Sequence, residues 1–477
     1  MWAEIASSAF GLLAMTTHHP TQSLATFAAE LDAGALPDAV REKLGWLLLD
    51  HLRVASLGAR LPWADWARRY ADVVAKPGGA QVLFGGERLN PQHATFVNVA
   101  FGSSFDADDT HVGAMLHPGV ASWAAALACA QETGARGRDV VAAVTAGYES
   151  AIRVGLSVQP AHFRRGFQST GTCVGFGTAA AAGRILLNGA DAARRIAEAI
   201  GLAGGYAGGV AQFYFSGASA KRIQAAHAAQ SGVAAALLAQ SGFTGPTDII
   251  EGSGGFARAY AGEWNEGLIE DGLGARWHIM DVLVKCHAAA ARVAAGIDAM
   301  LTLRREHKFG ADDIERIALG IPAIIQGRLT NPHPKDLQAA QMCLPFSVAL
   351  AAKVALAPNV VPALTVADYE AGLGDRTLFD LETRTTIALD DEVEAASNAL
   401  STAARVRVVL RDGREMTAFV PAPRGSAGNP LDAQEHAVRF TAELARRVPE
   451  AACAEIVAMS RDLDRLDARR LGKMLRG

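Results

Sequence analysis

The densest polar cluster in the apolar first half of the chain is Phe105-Asp106-Ala107-Asp108-Asp109-Thr110-His111, followed by His117-Pro118-Gly119. Imidazole moves protons near neutral pH, and a carboxylate beside it can orient the ring or hold it charged, so the pattern fits general acid–base chemistry. The same carboxylates and histidines could ligate a metal, but no further ligand motif supports one, and no metal is expected. If the first part is helical, Asp106 and Thr110 share a face at i, i+4. His117 then falls in a loop just before the next helix, whose N-terminus would favour an anionic group. The alternative is a solvated acidic loop with a surface histidine.

Two further features carry positive charge toward helix starts. Arg164-Arg165-Gly166-Phe167-Gln168-Ser169-Thr170-Gly171-Thr172 places two arginines before a Gly-rich helix start, a setting for a carboxylate or phosphate. Lys221 opens an apolar helix after Ser216-Gly217-Ala218-Ser219-Ala220, at the end where the helix dipole disfavours a cation, and a bound carboxylate would offset that cost. Lys285 follows Val282-Leu283-Val284, where the character of the chain changes. Taken singly, the arginines read as exposed residues beside a helix cap, and each lysine as a side chain reaching solvent.

These residues must be held by helices. Val120 to Glu132, Asp139 to Val158, Thr170 to Asn188, Asp191 to Leu202 and Ser219 to Ser241 all combine helix-favouring interiors with capping or stop residues. The many alanines and glycines suit close packing. After Lys285 the pattern changes: Ile314 to Ile321, Arg405 to Leu410 and Glu415 to Val420 read as strands, the last two joined by the turn Arg411-Asp412-Gly413-Arg414. Leu344 to Ala357 reads as a helix between them, and the chain is helical again from Asp432. The fold expected is mainly α: a discontinuous helical domain, residues 1–282 and 418–477, with an α/β domain inserted at 283–417.

Composition narrows the function. Half of the 477 residues are hydrophobic, and 45 basic residues against 49 acidic give a net charge of −4, which argues against a general nucleic-acid binder. Five widely spaced cysteines form no C-x-x-C or Cys/His cluster, so they read as buried thiols in a reducing compartment. The apolar stretch Met1 to Met15 carries Glu4 and no basic leader, and the alanine runs are interrupted well short of about 20 apolar residues, so neither a signal peptide nor a membrane span is expected. A cytoplasmic protein follows.

In their order along the chain, Asp106 to Thr110, His117-Pro118, Gly147-Tyr148-Glu149, Arg165-Gly166-Phe167, Thr170-Gly171-Thr172, Lys221 and Gly242-Phe243-Thr244-Gly245-Pro246 resemble the MmgE/PrpD family. Lys285, Ile297-Asp298-Ala299, Arg424-Gly425 and Asn429-Pro430-Leu431 continue the resemblance over nearly the whole chain. It implies a homodimeric enzyme without cofactor, a large helical domain and a smaller α/β lid, with the active site between them. The family's active-site positions fall on Asp106, Thr110, His117, Lys221 and Lys285, with Arg165, Gln168, His287 and Phe346 expected to contact substrate.

Three departures bear on the reaction. Gln168 stands where family members usually carry a histidine, His287 where a tyrosine is common, and Phe346 where a further tyrosine is expected. The reaction expected is removal or addition of a proton beside a carboxylate of a small di- or tricarboxylate. His117 would act as acid or base, Asp106 would orient it, Thr110 would bond the substrate and the lysines would stabilise growing negative charge. A lyase resembling 2-methylcitrate dehydratase is the first reading; an epimerase resembling iminodisuccinate epimerase and a cis-aconitate-type decarboxylase are the alternatives.

Overall fold

A computed structural model describes residues 19–213, 218–356, 363–398 and 400–476. The readings made above on Met1 to Met15, on Ser216-Gly217 and on Ala357 lie outside those residues. The protein is mainly helical with a small sheet.

The five helices expected in the first half are present as Pro118–Thr133, Gly137–Val158, Ser169–Leu186, Ala192–Gly204 and Ala220–Gln240. Pro118 sits in the first turn, where its missing N–H costs nothing, and Gly134 closes the same helix in the left-handed region at φ 79°. Small residues let the helices meet backbone to backbone: a Cβ on Gly177 would lie 2.3 Å from the carbonyl oxygen of Gly147 on the neighbouring helix.

Two large hydrophobic cores result among the described residues. One gathers apolar residues between Leu24 and Ala288 together with those from Leu431 to Leu475; the other runs from Ala289 to Met416. Around the second core lies a four-stranded sheet, β3 (Ile314–Ile321), β4 (Thr385–Leu389), β5 (Ala404–Leu410) and β6 (Glu415–Val420), in the order β4-β3-β5-β6. β3 pairs parallel with β4 and antiparallel with β5, and β5 pairs antiparallel with β6 through the expected turn, where Gly413 takes φ 86°. A two-stranded ribbon, β1 (Pro77–Gln81) with β2 (Arg88–Leu89), belongs to the helical half.

Several sequence expectations are corrected. β1 is hidden in sequence by its Pro-Gly-Gly start. β4 is an edge strand, mostly exposed, and so lacks the apolar alternation that marks a half-buried one. The helix from Leu344 ends at Lys353, short of Ala357. The Asp106 to Thr110 segment is not helical: the preceding helix stops at Gly102, and Asp106 takes a left-handed φ of 59°. The solvated-loop alternative fails as well, because Asp106, Asp108 and Asp109 are all buried. Thr110 instead exchanges two backbone hydrogen bonds of 2.9 Å with Leu283, which fastens this loop beside Lys285. Among the described residues no helix is long and apolar enough to cross a membrane, and all five cysteines are buried free thiols.

Candidate active site

A cavity of about 320 Å³ opens between residues of both cores, and Asp106, Thr110, His117, Gln168, Lys221 and Lys285 all line it. Its floor is an ionic cluster. The Asp106 carboxylate lies 2.8 Å from the Lys221 ammonium through Oδ2 and 2.7 Å from that of Lys285 through Oδ1. Lys285 Nζ also donates to the backbone oxygen of Asp106 at 3.0 Å, and its own carbonyl accepts from Arg439 at 2.8 Å. Burial alone would raise the Asp106 pKa, but the two ammonium groups overcome it and hold the carboxyl well below its usual range. The cost of Lys221 at a helix N-terminus is thus offset by a carboxylate of the protein itself. The left-handed backbone at Asp106 is the local strain that sets this carboxylate between two distant lysines.

His117 stands at the cavity wall with its orientation fixed. Its Nδ1 lies 3.1 Å from the carbonyl oxygen of Asp109 and 3.0 Å from Thr110 Oγ1, with the Asp108 carboxylate at 3.5 Å. A carbonyl can only accept, so Nδ1 carries the ring proton. The Thr110 hydroxyl accepts from Nδ1 and donates onward to the Asp108 carbonyl at 3.3 Å. Nε2 is therefore the reactive nitrogen, bare in the neutral ring. Burial, helped by Lys285 and Lys221 and opposed chiefly by Asp108, holds the His117 pKa below its ordinary value. Two assigned roles change: Asp106 is engaged by the lysines, so Asp108, Asp109 and Thr110 orient His117 in its place, and Thr110 spends its hydroxyl on the ring.

Asp109 supports this arrangement from behind. Its carboxylate accepts from the Tyr148 hydroxyl at 2.6 Å and from the Gly119 N–H at 2.9 Å, tying the helix that follows His117 to the loop that precedes it. Burial pushes the Asp109 pKa up to about 7, against the two bonds. A Cβ on Gly119 would fall 2.2 Å from both Asp109 Oδ2 and the Tyr148 hydroxyl. Gly119→Ala is therefore expected to lower the unfolding free energy by about 1–3 kcal/mol, the usual scale of overpacking, and to reduce activity by displacing His117. Urea denaturation checks this; an unshifted midpoint would mean that the helix slides freely past Asp109.

Four expected substrate contacts fare differently. Gln168 lines the cavity, but its Oε1 caps the Ser169–Leu186 helix by accepting from Gly171 N at 2.6 Å, leaving the Nε2 amide for a ligand. Arg165 is corrected: it is exposed, reaches the Ala259 carbonyl at 3.5 Å and leaves the cavity to its neighbour Arg164, because successive side chains of a short helical turn diverge. His287 is corrected too. Its Nε2 meets Asp298 at 2.9 Å and its Nδ1 accepts from Leu364 N at 3.1 Å, so both nitrogens are committed. Asp298 in turn accepts from Arg424 N at 2.8 Å, which makes His287 part of a structural junction. Phe346 is fully buried in the second core, stacked on Tyr369, with no access to the cavity. A further imidazole, His162, lies one layer behind the cavity, 2.9 Å from Thr172 Oγ1.

Sequence reasoning missed Arg292 and Arg328, which line the cavity from the segment that builds the second core. Neither sits in a local motif, and only the tertiary fold brings them to the cleft. Asp106, Asp108 and His117 bring one donor atom each within 4.8 Å of one another, but Asp106 is shared by two ammonium groups and His117 Nδ1 faces the Asp109 carbonyl, so these donors are engaged within the protein. Outside the cavity, His111, His278 and Asp281 form a second cluster of potential ligands. There His111 Nδ1 accepts from Ala114 N at 3.1 Å, which leaves the ring proton on Nε2, the nitrogen a cation would need.

Two family models and several curated relatives match the chain. The MmgE/PrpD N-terminal domain matches residues 22–267 and the C-terminal domain matches residues 287–465. Cis-aconitate decarboxylase of Aspergillus terreus is 26% identical over 427 residues, 85% of each chain. The cis-aconitate decarboxylase-like protein oryM of Aspergillus oryzae is 27% identical over 429 residues, covering 85% of this chain and 86% of that protein. Cis-aconitate decarboxylase of Mus musculus is 24% identical over 475 residues, covering 96% and 93%. With both of its domains matched along the greater part of the sequence, the chain belongs to the MmgE/PrpD family.

Proposed function

We propose that this enzyme of the lyase kind breaks a bond beside a carboxylate of a small di- or tricarboxylic acid, without a cofactor, and that its reaction is the decarboxylation of an unsaturated tricarboxylate. The observation that carries the reading is the cavity floor, where Lys221 and Lys285 flank one carboxylate within reach of a histidine of fixed tautomer. Cationic groups held in a partly enclosed cavity bind substrate carboxylates and stabilise charge that grows during reaction. The segment that builds the second core would act as a lid over the helical part, with a second copy of the chain completing a homodimer.

In decarboxylation the bond between carbon and the departing carboxylate breaks, and carbon dioxide leaves. The electron pair delocalises through the adjacent double bond, and the carbon that receives it takes a proton from Nε2 of His117. One proton is consumed per carbon dioxide released, and water returns it to the ring. The bound polyanion would raise the His117 pKa and charge the ring for this step. His117 is the one imidazole lining the cavity among the described residues, and decarboxylation requires a single proton donor. The relatives' names point the same way.

Dehydration is the second reading, favoured by the depressed His117 pKa, which leaves a neutral base ready in the free protein. It needs in addition an acid for the departing hydroxyl, a role open to Lys221. A panel of di- and tricarboxylates incubated in deuterated water and followed by NMR separates the readings. Carbon dioxide release with one deuterium gained in the product is the expected result. Loss of water would establish the second reading, exchange without net conversion would make the protein an epimerase, and no reaction with any polycarboxylate would end the proposal.

A further inference from the structure

The cavity has a second pair of cations at its mouth. Lys285 and Asp106 are buried on the floor, whereas Arg164 and Arg328 line the same cavity as exposed residues. Arg328 reaches across from the segment of the second core and places its guanidinium carbon 4.4 Å from the centre of the Phe163 ring, on the helical side. Phe163, Arg164 and Arg328 all line this one cavity. Among the described residues neither arginine side chain donates a hydrogen bond or lies within 4 Å of a carboxylate. The floor lysines already share Asp106; the rim arginines share nothing.

We propose that Arg328, with Arg164, is the specificity element of this cavity and binds the distal carboxylate of a three-carboxylate substrate while Lys221 and Lys285 hold the others. The proposal rests on the polycarboxylate reading above and deepens it. A ring face neutralises none of the arginine's charge, so stacking on Phe163 places the guanidinium fork without satisfying it. A carboxylate fits that fork in bidentate fashion, which favours a planar anion at a set distance from the floor. A dicarboxylate occupies the lysines and leaves the rim unpaired; a tricarboxylate completes both ends. The Arg328–Phe163 contact also links the two sides of the cleft, so the anion would be bound where the cleft closes.

The test compares the affinities of propane-1,2,3-tricarboxylate and pentanedioate by titration calorimetry, in the wild-type chain and in Arg328→Met and Arg328→Lys. Arg328 is exposed, so folding should survive, and thermal unfolding verifies it. The wild type is expected to prefer the tricarboxylate by about tenfold or more, the scale of one charge-assisted contact. Arg328→Met should abolish most of that preference by weakening the tricarboxylate alone, and Arg328→Lys, a charge without the fork, should restore only part of it. A tricarboxylate preference of wild-type size in Arg328→Met, or equal binding of the two acids by the wild type, overturns the assignment. A preference that collapses in Arg328→Met, in a protein that turns over no polycarboxylate, would uphold the rim site and sink the lyase reading. Turnover with an Arg328-independent preference would do the reverse.

Discussion

His117→Ala is expected to lower kcat by at least ~10²-fold, the usual scale for loss of a general acid or base, while far-ultraviolet circular dichroism and the urea midpoint stay close to those of the wild type. The ring sits at the cavity wall with its bonded nitrogen turned into the loop, so truncation removes the reactive nitrogen and the Nδ1 contacts to the Asp109 carbonyl and to Thr110. Backbone bonds carry the fold here, including that from His117 N to Thr170 Oγ1 at 3.2 Å and the paired bonds of Thr110 with Leu283. The pH profile supplies a second readout. Decarboxylation as proposed needs the charged ring, so kcat/KM should show a limb on which it falls as pH rises through the His117 pKa, a limb that burial displaces below the ordinary imidazole range. That limb should vanish in the residual activity of the variant. Near-normal turnover in His117→Ala would remove the imidazole from the chemistry altogether.

How much of this was legible in the sequence depends on distance along the chain. The strongly periodic helices could be read directly, because side chains three or four residues apart report on the same face. The strand pair β5 and β6 could be read because a Gly-bearing turn marks it locally. β1 and β4 could not, since one starts with Pro-Gly-Gly and the other is a mostly exposed edge. The site divides the same way. Asp106, His117, Lys221 and Lys285 stand out as polar residues in apolar surroundings, and the fold does bring them to one cavity. Which polar atom meets which was beyond reach: Asp106 turns to the lysines because of a left-handed backbone that no propensity foretells. His287 showed why residue type alone misleads. An imidazole two residues from Lys285 invites a catalytic role, yet Asp298 and the backbone of Leu364 occupy both of its nitrogens. Arg328 carried no signal at all, since its partner ring is Phe163, far away in sequence.

Asp106→Asn is expected to cost about 3–5 kcal/mol of unfolding free energy at pH 7, the range found when one partner is taken from a buried ion pair. The amide is nearly isosteric, so packing is preserved and only the charge goes. Two ammonium groups that shared one carboxylate then face each other, with the Lys285 side chain 3% exposed and that of Lys221 11% exposed. Their mutual repulsion is then unrelieved. The sign of the pH dependence follows from the depressed Asp106 pKa. Its contribution is fully present above the unfolded value of 3.8 and is lost as pH falls through the lower folded value, so the gap between wild type and variant should be wide at neutral pH and narrow in strong acid. Ligand should narrow it as well, because a polycarboxylate supplies the missing negative charge: propane-1,2,3-tricarboxylate should raise the melting temperature of Asp106→Asn more than that of the wild type. Urea titrations at pH 7 and below pH 4 measure the first two effects, and thermal unfolding with and without the acid measures the third. Equal midpoints for the two proteins at pH 7 would mean that the lysines do not depend on Asp106, and the charged floor on which the proposed chemistry relies would lose its physical basis.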